Sequence, residues 1–144
     1  MRLWRISNFA DLSGEGGLLI DGRWHFQGSP VVYCTDHPST ALLEILVHAT
    51  RHTVPDHYQL LEIEIPDDVD AFVPDVPTDW KDDMDQTRRI GDKFLTERNF
   101  ALMSVPSVIM PKARNFLLNP KHPDAARIHI VETYRYPFDS RLVR

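Results

Sequence analysis

The sequence predicts an α+β fold, on three observations. Tyr58 to Ile65 alternates, with Leu61, Ile63 and Ile65 on one side and Glu62 and Glu64 on the other, which is the period of a half-solvated strand. Leu42, Ile45, Leu46 and Ala49, and later Ile90, Phe94 and Leu95, recur at helical spacing. The strands and helices do not follow the regular strand–helix–strand order that a parallel α/β sheet requires. The chain has 144 residues, 42% of them hydrophobic and 26% charged, which suits one domain with its own core, read as residues 1–144.

Taken in order, Leu3-Trp4-Arg5-Ile6 is a first strand with Arg5 on the face opposite Trp4 and Ile6. Asp11 to Gly17 is loop, and its glycines fit neither G-x-G-x-x-G nor G-x-x-x-x-G-K-[ST], so a Rossmann or P-loop nucleotide site is set aside. Val31 to Cys34 is a strand that runs into Thr35-Asp36-His37-Pro38-Ser39, a cluster of helix-start residues. Pro38 suits a first helical turn, where its missing N–H leaves nothing unpaired. The helix that follows buries Leu42, Ile45, Leu46 and Ala49, with Glu44 at the margin of that stripe on a face shared with Ala41 and His48.

The alternating strand stops at Pro66. Asp67 to Asp85, acidic and broken by Pro74 and Pro77, is a surface excursion pinned by Trp80. Gln86 to Glu97 is a second helix, although an interior glycine, Gly91, costs about 1 kcal/mol relative to alanine. Leu102 to Pro111 is a strand interrupted by prolines, so Pro106 requires an edge or a bulge. Asn115 to Asp124 reads as an ordered loop whose asparagines bond backbone groups, Ile128 to Tyr136 as a last strand, and Phe138 to Leu142 as the close.

Composition narrows function. A net charge of -5 argues against direct nucleic-acid binding, which needs clustered Lys and Arg, but leaves room for a few arginines around a small anion. The one cysteine, Cys34, excludes an internal disulfide and reads as a buried apolar residue. No run approaches the roughly 20 apolar residues of a membrane span, and Met1 to Ser7 lacks a signal peptide's core, so a cytoplasmic protein is expected. His48 and His52 have no H-E-x-x-H pattern, so no metal is expected, and Ser107 lacks the G-x-S-x-G elbow of a hydrolase.

What remains is a constellation: Arg23 beside Trp24, Tyr33 ending an apolar run, and Glu44 on the next helix. Residue types alone allow bland roles for all of them. Arg23 can stack on indole at the surface, Tyr33 can be a core residue, Glu44 a solvated carboxylate, and Ser107 a backbone partner beside Pro106.

Six separated segments, in order, carry a resemblance that spans nearly the whole chain. Leu3-Trp4-Arg5-Ile6, Gly22-Arg23-Trp24, Gly28-Ser29-Pro30-Val31-Val32-Tyr33, Ala41-Leu42-Leu43-Glu44, Val105-Pro106-Ser107 and Asn119-Pro120-Lys121-His122-Pro123 resemble the RES-domain toxins of bacterial Xre–RES toxin–antitoxin pairs. Asp21 and His25 depart from the pattern.

The resemblance implies a fold related to ADP-ribosyltransferases and cleavage of the nicotinamide–ribose bond of NAD⁺, which is substrate rather than cofactor. It implies Glu44, Arg23 and Ser107 as catalytic residues, with Arg5, Arg23, Tyr33 and Asn119 binding NAD⁺. It leaves open whether ADP-ribose passes to water, phosphate or a protein, and a noncatalytic binding domain of the same fold is the alternative from another class. It further implies a helix-turn-helix antitoxin of Xre type, contact with DNA only through that partner, and a homodimer.

Overall fold

The computed structural model describes residues 1–143. Its seven strands are β1 (Arg2–Ile6), β2 (Val32–Thr35), β3 (His57–Glu64), β4 (Ala71–Phe72), β5 (Leu102–Pro106), β6 (Arg114–Leu118) and β7 (His129–Pro137). They form one sheet in the order β4-β5-β6-β2-β1-β3-β7. Neighbours are antiparallel except β4 and β5, which are parallel. The helices are a single turn, α1 (Gly16–Leu19), then α2 (Pro38–Leu46) and α3 (Met84–Glu97). The α+β expectation holds.

Alternation along the strands divides the core into two clusters. Leu102 and Leu118 join Leu3, Cys34, Leu61 and Ile63 in one, while the adjacent Met103 and Leu117 join Trp24, Val105, Phe94 and Leu95 in the other. Successive side chains point to opposite faces, so these clusters lie on the two sides of the sheet. Pairing aligns Val105, Asn115, Thr35, Trp4 and Glu62 as one row across five strands. Helix α2 packs on β1 and β2, and its Glu44 bonds Asn115 in this row.

Three expectations are corrected. The segment from Asn115, read as loop, is strand through Leu118 and lies between β5 and β2. Its apolar run Phe116-Leu117-Leu118 is short and flanked by asparagines, so sheet pairing overrides the local preference. The acidic excursion contains β4, two residues that pair only with Leu102 and Met103. β4 ends before Pro106, which pairs only with Arg114 of β6, so Pro106 has the open edge position expected of it. In α2 the buried residues are Thr40 and Ala41, whereas Leu42, Ile45 and Leu46 are only partly covered. The inward face is turned toward Ala41, which brings Glu44 in from the margin.

Helix ends follow their local chemistry. His37 caps α2, its Nδ1 accepting from the Ser39 N–H at 3.1 Å, and Pro38 fills the first position. Asp83 caps α3 through the Gln86 N–H at 3.1 Å. The last turn of α3 closes on Arg98 in the left-handed region, with φ 55°.

Candidate functional site

A cavity of about 710 Å³ opens beside α2, within the ~300–1,000 Å³ usual for small-molecule sites. Arg5, Arg23, Tyr33 and Glu44 all line it. They reach it from β1, the loop before β2, β2 itself and α2. Two further lining residues, Arg88 on α3 and Asn115 on β6, were not singled out by sequence reasoning.

The loop that presents Arg23 is fixed by its neighbours. Trp24 is buried, packs on Trp80 with ring centroids 5.6 Å apart, and so turns the adjacent Arg23 outward to the cavity wall. Helix α3 grips the loop backbone at three points. The Thr87 hydroxyl donates to the Arg23 carbonyl at 2.7 Å, the Arg88 Nε to the Gly22 carbonyl at 2.7 Å, and the Phe26 N–H to the Asp92 carboxylate at 3.1 Å. Gly91 allows this approach, since a Cβ there would lie 1.4 Å from the Trp24 carbonyl oxygen. The interior glycine noted in the sequence is thus a packing requirement.

Tyr33 contributes its ring to the cavity and its hydroxyl to the loop. The oxygen accepts the Trp24 N–H at 3.2 Å and lies 2.7 Å from His25 Nδ1. His25 Nε2 faces the Gly17 carbonyl at 3.2 Å, and a carbonyl only accepts, so the ring hydrogen belongs on Nε2 and the tyrosine donates to Nδ1. Gly22 makes room for this pair, as a Cβ there would meet the Tyr33 hydroxyl at 2.4 Å. Burial pushes the Tyr33 hydroxyl pKa well above its ordinary value. On the same strand, burial pushes the Cys34 thiol up to about 12, so it is no nucleophile.

Charge in the cavity is arranged around Glu44. One of its oxygens accepts from Asn115 Nδ2 at 2.9 Å. Arg5 donates to the Tyr33 carbonyl at 2.8 Å, which fixes its guanidinium against β2 while leaving donors over. Among the described residues no salt bridge involves Arg5, Arg23 or Arg88. Three guanidinium groups without an ion-pair partner line one concavity with two carboxylates, Glu44 and Asp21, the latter accepting from the Gln27 N–H at 2.8 Å, and such a lining suits a ligand that is anionic at one end and develops positive charge at the other.

The structure gives Ser107 and Asn119 other work. Ser107 is buried, and its hydroxyl oxygen accepts the N–H groups of Ile109 and Met110, both at 3.2 Å, shaping the turn after β5. Only its neighbours Val108 and Ile109 reach the cavity wall. Asn119 is buried and binds the Leu95 carbonyl at 3.1 Å and the Lys121 N–H at 3.0 Å, tying the loop after β6 to α3. Neither side chain lines the cavity; both shape the loops beside it. His48, exposed and just past the end of α2, also lines the cavity.

The model of the RES domain matches residues 2–139. The chain belongs to the RES-domain family. It is 45% identical to toxin Res of Pseudomonas putida over 99% of both chains. It is 35% identical to the Prs ADP-ribosylating toxin of Sphingobium sp., covering 98% of this chain and 96% of that one. Among solved structures, the M. tuberculosis MbcT–MbcA toxin–antitoxin complex contains a chain that superposes with a TM-score of 0.77 at 16% identity, over 94% of this RES domain and 84% of that chain. Identity that low speaks for the fold, which is the one the resemblance led us to expect. No helix among the described residues is long and apolar enough to cross a membrane.

Proposed function

We propose that this RES domain is the toxin of a toxin–antitoxin pair and that it breaks the nicotinamide–ribose bond of NAD⁺. The observation that carries the reading is the gathering of Arg5, Arg23, Tyr33 and Glu44 on one cavity wall. Nicotinamide is cationic while attached and departs neutral, so its departure requires no proton donor and one carboxylate suffices. Positive charge grows on the ribose as the bond lengthens. Glu44 stabilises that charge from a position already fixed by Asn115, so little reorganisation is needed at the moment of reaction. Arg23, with Arg88 across the loop, supplies planar donors to the diphosphate, and the Tyr33 ring packs on the pyridine.

The test is nicotinamide release from NAD⁺ by purified protein, with and without inorganic phosphate. Glu44→Ala is expected to lower the rate by about 100- to 1,000-fold, the range for losing one preorganised electrostatic group, while the fold is retained. A variant as fast as wild type would remove Glu44 from the mechanism. The name of the Sphingobium relative favours a second outcome, transfer of ADP-ribose to a protein. Labelled NAD⁺ in a cell extract would then yield a modified band. The antitoxin reading rests on the fold likeness to a toxin–antitoxin complex, and co-purification with a helix-turn-helix protein encoded nearby tests it.

A further inference from the structure

Asn115 breaks three local rules at once. Asparagine is depleted in strands, yet this one is interior to the sheet, paired with Thr35 on one side and Val105 on the other. It is polar, on a strand whose next three residues are buried and apolar. Its Oδ1 is buried with no hydrogen-bond partner in the protein, and no other buried side-chain polar atom among the described residues is in that state. Such an atom carries a desolvation penalty that an apolar residue of the same shape would avoid.

The orientation is not an ambiguity of the amide. Turning the group over would set its oxygen 2.9 Å from Glu44 Oε1, and an ionised carboxylate can only accept. Nor can the adjacent Thr35 relieve the orphan. Its hydroxyl is within hydrogen-bonding distance of the Trp4 carbonyl at 3.3 Å and the His37 carbonyl at 2.9 Å, where it can only donate.

We propose that Asn115 is a positioning residue for Glu44, retained at the expense of stability. This rests on the reading of Glu44 as the group that stabilises the ribose cation. A glutamate on a helix has three free torsions, and one bond from the sheet below fixes one oxygen and directs the other to the ligand. An amide is the suitable donor because it carries no charge. A lysine or arginine in its place would hold the carboxylate equally well but neutralise the field that the reaction needs.

The experiment compares wild type with Asn115→Leu, which is apolar and of similar size, and with Asn115→Asp, which keeps the shape but removes the donor. The expected result is a fall in kcat for nicotinamide release of about 10- to 100-fold, the range for a partner that acts through another residue. KM for NAD⁺ should stay nearly constant, as fits an interaction made in the transition state. Asn115→Leu should melt no lower than wild type. In ¹H–¹⁵N spectra of the folded protein, one Asn115 side-chain amide proton should lie downfield and return to the unbonded range in Glu44→Ala.

If Asn115→Leu melts lower and keeps its kcat, Asn115 is structural and the proposal is overturned. An amide resonance unmoved by Glu44→Ala overturns it too, and that arm does not depend on how the Asn115 variants fold. Wild-type protein that releases no nicotinamide overturns the proposed function itself, which separates that failure from a failure of this pairing.

Discussion

At the scale of single residues, Tyr33 separates two properties that sequence reasoning joins. Its ring lines the cavity, but its hydroxyl is fully engaged by Trp24 and His25. Tyr33→Phe should therefore lower stability by about 1–3 kcal/mol, the penalty for leaving buried partners unpaired, while changing nicotinamide release little. Thermal melts and the release assay on the same preparation check it, and a large kcat loss with an unchanged melting temperature would give the hydroxyl a chemical role instead. Arg23, Tyr33 and Glu44 could be picked out because each stands in a recognisable segment. Arg88 and Asn115 could not, since an arginine in Thr87-Arg88-Arg89 and an asparagine before an apolar run look ordinary until the docking of α3 brings one to the loop and the sheet register brings the other to Glu44.

At the scale of elements, the docking of α3 on the Gly22–Phe26 loop is the contact on which Arg23's placement depends. Gly91→Ala tests it by sign. Helix propensity alone would make the variant about 1 kcal/mol more stable. The added methyl meets the Trp24 carbonyl, and backbone cannot swing aside as a side chain can, so destabilisation at or above the 1–3 kcal/mol usual for overpacking is expected. Denaturant unfolding gives the answer, and a more stable variant would mean the helix does not sit so close.

Legibility at this scale tracked pattern strength. The eight-residue alternation of β3 is plain in the sequence, and the apolar spacing of α3 gives its start to within two residues. β4 and β6 leave no such signal, because two residues, or three apolar ones between asparagines, carry no period of their own and become strand only by pairing. The phase of α2 is hidden for a related reason, because its inward face meets a cavity and not a packed core, so hydrophobicity does not mark it.

At the scale of the whole molecule, protons link the buried strand β2 to global stability. Burial raises the Cys34 thiol from 9.0 to about 12 and moves the Tyr33 hydroxyl up from 10.0. The unfolded chain therefore releases both protons first as pH rises. The stability these groups contribute is complete below about pH 9 and is lost as pH climbs toward the folded values, each with a slope of about 1.4 kcal/mol per pH unit. Cys34→Ala should delay the onset of alkaline destabilisation by about one pH unit, to where Tyr33 begins to titrate. Melts between pH 8 and 11 would show it, and an onset unchanged by the substitution would mean the thiol is not shielded.

The strand order has a consequence for how such a protein is made. The carboxylate, the tyrosine and two of the arginines are translated within the first third of the chain, yet the middle of the sheet needs β6, from the last quarter, before β2 has its second neighbour. A chain cut short before β6 thus holds these four groups without the strand that completes the middle of the sheet. Premature termination before β6 should leave an inert fragment.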